Sequence, residues 1–523
     1  MGIKVKVISI IMVVICVIFF AGCGEKEDAL QLENDKNKKE NVELSNQVIR
    51  RLFPKLESAW VGDVMPLVDG KEIYINYLYE TDYNGVAYHP IYQFTTTDFC
   101  EYRNRGEVIP CGRKLDSPDL AIGTGSFIRD KEGIYHCFYT GHNDKAPILG
   151  IDKECIMHAV SKDNLNWEKI PEDTFYAPEG FSTDDFRDPF VMWNEEEKCY
   201  WMILGAKENG KEGSCIVKYT SDNLKNWTFQ GIFYEEKDLY FMECPNLLQI
   251  NEWYYLIFSW NNVTYYRMSR DINGPWIQPE NDTFDGKAFY AAKAIKYNEN
   301  YYLLGFIARK KRNKDELDYS WAGNLCIYEL VQKKDGTLGV KVPREYENKY
   351  FTKIMDWNVE EKMEEVFTNN TDLVEIYSKG EKFNYASLGI LPKSMLLSCK
   401  ISFDESSNDV KAGFIFGIDE KGGGYPIVFN ISEKMICYDG YQLGGLFETD
   451  IRNMQKFDFK AGETYNVKLV VEDEIIIVYV DDMKVLSNRI YNAINNKWGF
   501  FVSKGRVVFS DITIKIPEQG QER

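Results

Sequence analysis

CYWMI at 199–203 is followed by SDNLKNW at 221–227. The first phrase is aromatic and apolar, which suits a strand. In the second, Ser and Asp can bond nearby backbone and fix a turn, and the Trp then re-enters a core. Both phrases repeat along the chain, and the repeat decides the fold.

The aromatic phrase occurs as IYINY at 73–77, IYHCF at 134–138, CYWMI at 199–203, WYYLI at 253–257 and NYYLL at 300–304. Each follows a turn rich in Gly, Asn, Asp, Glu or Lys, such as Asp69-Gly70 or Asn298-Glu299, and an apolar segment precedes each turn. That pattern is a β-hairpin, five times over. The turn phrase follows four of them, with Asp98, Asp163, Asp222 and Asp271 as its acids, spaced 65, 59 and 49 residues apart. An all-β period near about 50 residues marks propeller blades. The reading is a five-bladed β-propeller over residues 54–345. A solenoid of so few units would need capping segments, and none is visible.

After Pro343 the repeat stops. Residues 346–369 read as a linker, because DWNVEEKMEEVF at 356–367 is acidic and partly helical in spacing. Residues 370–517 carry β runs broken by Gly, Asn and Asp turns, the pattern of a β-sandwich, with 518–523 as a tail. No paired acids stand out in the sandwich, so it reads as a packing partner. The fold class is therefore all-β: a five-bladed propeller followed by a C-terminal sandwich.

At the other end, Lys4 and Lys6 precede an apolar run over 7–20 and then Ala21-Gly22-Cys23. This reads as a signal peptide over 1–22 with Cys23 as a lipidation site. The small residues before Cys23 resemble a bacterial lipobox, with Phe20 where Leu is usual. Residues 23–53 are mostly polar and read as a tether, and the folded part is expected outside the cytoplasm at a membrane. The formal charge is −19, or −21 once Lys4 and Lys6 leave with the signal. Such a chain repels nucleic acid, and a neutral substrate is the better partner. The 12 Cys occur singly with no C-x-x-C pair, and ten of them read as small buried apolar residues. The four His show no metal-ligand spacing, so no metal and no cofactor is expected.

The functional reading rests on register. Eleven or twelve residues before the hairpin tyrosines 74, 135, 200, 254 and 301 stand Asp63, Thr124, Asp188, Glu243 and Tyr290. All five are expected at one level of the first strand of each blade, facing the propeller axis. Three crowded carboxylates raise one another's pKa, a costly arrangement for structure alone. Glycosidic bond cleavage needs such a set: one carboxyl protonated, one ionised, and one to stabilise the cationic sugar.

The segments holding these acids resemble glycoside hydrolase family 32, the β-fructosidases. Phe186-Arg187-Asp188-Pro189-Phe190 resembles the family's R-D-P motif and Met242-Glu243-Cys244-Pro245 its E-C motif. Trp60-Val61-Gly62-Asp63 falls where the family has W-M-N-D-P-N-G, residues 285–291 resemble G-x-D-F-Y-A, and Trp321-Ala322-Gly323 resembles W-x-G. The resemblance implies a retaining hydrolase of β-fructofuranosides with Asp63 as nucleophile, Glu243 as acid/base and Asp188 as transition-state stabiliser. Trp60, Asp82, His89, Thr124, Ser126, Arg187, Tyr290 and Trp321 are the substrate-binding candidates. The departures are Gly62 for Asn, Leu78 for Gln and Ala288 for Asp, each a lost polar group, so plain sucrose is expected to be a poor substrate. Two alternatives stand beside this reading. One is an inverting arabinofuranosidase or xylosidase of a related five-bladed family, which E-C-P and the sandwich argue against. The other is a non-catalytic glycan-binding lipoprotein, which would not need all three acids.

Overall fold

The computed structural model describes residues 47–81, 88–369, 371–406, 408–444 and 446–518, so the signal, Cys23 and Asp82 lie outside the described residues. Five inner strands, Trp60–Asp69, Ala121–Arg129, Phe181–Asn194, Glu243–Ile250 and Phe289–Tyr297, open the five blades. Each pairs antiparallel with the strand carrying the aromatic phrase, and blades one, two and three continue outward through a third and fourth strand. Blade four has three strands. The expectation of a five-bladed propeller followed by a sandwich holds.

The turn phrase works as its residue types predict. Asp163 Oδ1 accepts from the backbone N of Leu165 (3.0 Å) and Asn166 (2.8 Å). Blade three uses Asn223 for this task, not Asp222: Asn223 Oδ1 accepts from Lys225 N and Asn226 N. An amide oxygen and a carboxylate serve equally as acceptors there. The Trp of the phrase then covers an aromatic ring, Trp167 on Phe127 and Trp227 on Phe138 of the preceding blade.

Two boundaries differ from the sequence reading. Val48–Arg50 forms a strand on the outer edge of blade one, paired with Glu101–Ile109, and Leu52 and Phe53 are fully buried. The fold therefore begins inside the stretch read as tether; two large apolar side chains after a charged run were enough to anchor it. The expected linker is likewise structured. Tyr346 and Tyr350 are buried at the two ends of a short helical turn, Tyr346–Tyr350, and the acidic stretch expected to be partly helical instead pairs into the sandwich through Lys353–Met355, Glu361–Lys362 and Val366–Thr368.

The sandwich is organised by one long strand, Lys497–Ile516. It runs along Val374–Ile390, and its first part pairs with Lys411–Ile418, its second with Ser394–Phe403. It bends at Lys504 and Gly505, both at positive φ (61° and 132°), so one strand serves both layers around a core of Phe, Val, Ile and Leu.

Propeller and sandwich meet through buried polar groups. Arg489, with no exposed surface, donates to the carbonyls of Ile307 (3.1 Å) and Ala308 (3.2 Å), to Asn324 Oδ1 (2.7 Å) and to Glu474. Asp315 accepts from Tyr491 N and Asn492 N, and Glu472 from Leu52 N and Phe53 N. Removing one partner from such a set leaves the others buried and unpaired. Arg489→Ala is expected to cost about 3–5 kcal/mol of folding stability, read by denaturant unfolding. A loss no larger than that of an exposed arginine would show the joint to be peripheral.

Candidate active site

The five inner strands share one irregularity. Opposite a single residue of the second strand, each inserts two: Gly62-Asp63, Gly123-Thr124, Asp188-Pro189, Cys244-Pro245 and Ala291-Ala292. This is a β-bulge in every blade, a device that bends a strand and re-aims its side chains. The candidate residues therefore do not share one register, as their equal spacing predicted. Asp63 and Thr124 hold the second bulge position, Asp188 the first, and Glu243 and Tyr290 the residue before it. The bulge is built differently too. Asp188, Cys244 and Ala291 carry φ of 67°, 52° and 54°, whereas the glycines of blades one and two do not need the left-handed region. Non-glycine residues in that region are strained, and here they cluster at the axis.

The bulges bring the three carboxylates to one cleft of about 440 Å³, lined by Asp63, Asp188 and Glu243 together with His89, Thr124, Arg187 and Trp321. Trp321 Nε1 donates to Asp63 Oδ1 (3.0 Å), and Cys244 Sγ lies 3.9 Å from Asp63 Oδ2. Cys244 N donates to Asp188 Oδ2 (2.9 Å), so the strained bulge of blade four holds the acid of blade three. Asp188 N donates to Thr140 Oγ1 (2.8 Å), whose hydroxyl donates to Thr124 O (3.0 Å). Glu243 receives Arg187 Nη2 at 3.0 Å on one oxygen and the Tyr290 hydroxyl on the other. Arg187 also reaches Glu154 and Asp185, both at 3.3 Å, and lies over the Phe241 ring.

The charges strain against their surroundings. Burial pushes the Asp63 carboxyl up to about 6, with the charge of Glu243 adding to it and the Trp321 N–H and Lys293 opposing. Burial pushes Asp188 up to about 7, opposed by Arg187 and reinforced by Glu243 and Asp63. Lys293, 2% exposed, donates to Thr124 Oγ1 (3.2 Å) and Gly125 O. Burial lowers its pKa, while Cys244, Asp188 and Asp63 raise it. Among the described residues no cluster of His, Cys, Asp and Glu is arranged to hold a metal ion.

Other candidates fall elsewhere. Trp60 is not on the cleft wall; it is clasped by Lys55, Arg309 and Arg489 at 4.5, 5.3 and 5.7 Å from its ring and belongs to the joint with the sandwich. Ser126 faces the neighbouring blade, where its hydroxyl accepts from Val191 N (2.9 Å). Tyr290 does not line the cleft; it is buried, and its hydroxyl donates to Glu243. Ala288 is fully buried in the propeller core, so the group lost there does not face the cleft; Leu78 does line it. Gly62 has its own reason: a Cβ would stand 2.6 Å from the Trp321 ring, which fills the space and supplies the donor to Asp63. Glu154, His142, Thr140 and Lys293 were missed. They come from second and third strands or from mid-strand positions, with no motif to mark them.

Fold and cleft together define a class: a five-bladed β-propeller with an acidic axial cleft and an appended β-sandwich. Residues 57–341 match the family model "Glycosyl hydrolases family 32 N-terminal domain", and residues 336–514 match "GH32, BT1760-like, C-terminal domain". The chain belongs to glycosyl hydrolase family 32. It is 29% identical over 275 residues to the levanbiose-producing levanase of Bacillus subtilis, covering 49% of this chain and 48% of that protein. It is 30% identical over 169 residues to the sucrose-6-phosphate hydrolase of Escherichia coli, covering 32% and 34%. The match thus spans about half or less of the length of these relatives. Fructan 1-exohydrolase IIa from Cichorium intybus superposes with a TM-score of 0.70 over 90% of this chain and 97% of that one, at 14% identity, which shows a shared fold.

Both raised acids hold a proton more tightly folded than unfolded, where their pKa is about 4. Their contribution is therefore favourable below about pH 4 and is lost as pH rises toward 7. Asp188→Asn removes its share of that penalty. A gain of up to about 4 kcal/mol is expected at pH 7.5 and little at pH 4, measured by thermal unfolding at both. A variant less stable than the parent at pH 7.5 would show that Asp188 is not a buried charge under strain.

Proposed function

We propose that the chain is a retaining glycoside hydrolase acting on β-fructofuranosides, in which Asp63 attacks, Glu243 transfers the proton and Asp188 stabilises the sugar cation. The observation that carries this reading is the convergence of the three carboxylates in the axial cleft of a family 32 propeller. Asp63, at about 6, is largely ionised at neutral pH and can form a covalent bond to the anomeric carbon. Glu243 is 32% exposed, so its proton can reach the leaving oxygen and later be recovered from water. Arg187 occupies one of its oxygens. The Tyr290 hydroxyl on the other can rotate to accept when that oxygen carries the proton. Asp188, fixed by Cys244 N, is placed to bind sugar hydroxyls whose hydrogen bonds strengthen as positive charge develops. Leu78 offers such hydroxyls no partner, in keeping with plain sucrose as a poor substrate. The levanase and the sucrose-6-phosphate hydrolase differ in whether their named substrate carries a phosphate, so sequence similarity leaves that choice to the cleft.

The reading extends to location. Lys4, Lys6, the apolar run and Ala21-Gly22-Cys23 support export, cleavage before Cys23 and lipid on its sulfur.

Glu243→Ala is expected to lose activity on fructans and to lose much less on an activated aryl fructoside, because a good leaving group needs no proton. Asp63→Ala should be inactive on both. Parental turnover by Asp63→Ala would refute the nucleophile. In cells, Cys23→Ser should move the protein from the detergent phase to the aqueous phase or block its processing; mass spectrometry finding Cys23 of the parent unmodified would exclude the anchor.

A further inference from the structure

Building on the hydrolase reading above, we propose that the cleft selects uncharged β-fructosides and turns away those bearing a phosphate. Among the described residues seven carboxylates line it against two fixed cations, Lys153 and Arg187. Beyond the three acids already described these are Glu154 and Asp185 on the wall and Asp144 and Asp184 on the rim. Arg187 is committed to Glu154, Asp185 and Glu243. Asp144 is answered outside by Lys145 at 3.1 Å. That leaves Lys153 as the one uncommitted lining cation among the described residues. A phosphate brings a charge of about −1.5 to −2 at pH 7 and three acceptor oxygens. It asks for several donors and for positive potential. The cleft provides the opposite field, and low-dielectric walls focus it. Even with Asp63 and Asp188 both protonated, five lining carboxylates remain.

The remaining polar groups suit a neutral sugar. His89 and His142 both line the cleft; His142 Nδ1 is hydrogen-bonded to Glu154 at 3.2 Å, and His89 Nδ1 stands 3.2 Å from Glu80 without hydrogen-bond geometry. Nε2 is thereby the ring atom His142 can offer a hydroxyl. His89 is further fixed against the Trp321 ring, 4.6 Å between centroids. Two imidazoles beside glutamates thus stand where sugar hydroxyls would lie.

Steady-state kinetics of the full chain on sucrose and sucrose 6-phosphate at low ionic strength test this. The phosphate ester is expected to show a kcat/KM at least about tenfold lower. The gap should narrow near about 1 M salt, where the Debye length is about 3 Å. As a second measurement that holds even if sucrose turns over slowly, fructose should inhibit at least about tenfold more strongly than fructose 6-phosphate. The double variant Asp144→Lys, Asp184→Lys should raise the ratio of kcat/KM on the phosphate ester to that on sucrose severalfold. Equal or faster cleavage of the phosphate ester by the parent chain overturns the proposal. So does a gap indifferent to both salt and charge reversal, which would assign the selection to shape. Failure to cleave sucrose, levan, inulin or the ester removes the hydrolase reading itself, and this selection with it.

Discussion

Asp63, Asp188 and Glu243 repel one another in a cleft that water only partly screens, and Arg187 and Lys293 are what that repulsion is balanced against. Arg187 works by contact, with one guanidinium nitrogen on Glu243 and another on Glu154 and Asp185. Lys293 works at a distance: its ammonium rests on a hydroxyl and a carbonyl of blade two, with no carboxylate in direct contact, and its field reaches Asp63 from beneath. The balance is incomplete. Asp63 and Asp188 remain reluctant to ionise, and that reluctance is a cost in stability which the fold sustains elsewhere.

The sustaining structure is the bulge. A regular strand would place alternate residues on opposite faces and could not turn acids from three register positions into one cleft. The extra residue does so, and in blades three, four and five it does so with strained non-glycine backbone. The strained Cys244 also supplies the backbone N–H that fixes Asp188. Blade four thereby positions the acid of blade three, and the site belongs to the ring of blades rather than to any one of them.

The sandwich bears on the same ring. Arg489 reaches across to the carbonyls of Ile307 and Ala308 in blade five, next to the strand carrying Trp321. Asp285, buried and pushed up to about 6 by that burial, accepts from Ser487 N in the sandwich and from the Tyr328 hydroxyl in the propeller. Blade five supplies Trp321 to the cleft wall, the Tyr290 hydroxyl to Glu243 and the buried Lys293 to blade two. A domain with no acids at the cleft among the described residues thus braces the blade that supplies three of its supporting groups.

The sequence by itself determined the blade count, the order of the two domains, the three acids and the Arg187 beside them. Those depend on local periodicity and on short motifs, which are written in neighbouring residues. It began the fold too late and read 346–369 as a linker, because Leu52, Phe53, Tyr346 and Tyr350 are few apolar residues among many polar ones and gain their burial only from distant partners. It equated Asp222 with its counterparts where Asn223 makes the turn, because spacing does not say which oxygen accepts. It gave Trp60 to the sugar, although three cations from three segments hold it. Only the tertiary structure decided which side chains face the cleft. A bulge shifts register by a residue without any signal in the pattern, and Glu154, His142 and Lys293 enter from strands whose own sequences read as ordinary β. Closing the ring brings those strands together, and closure is a property of the whole chain.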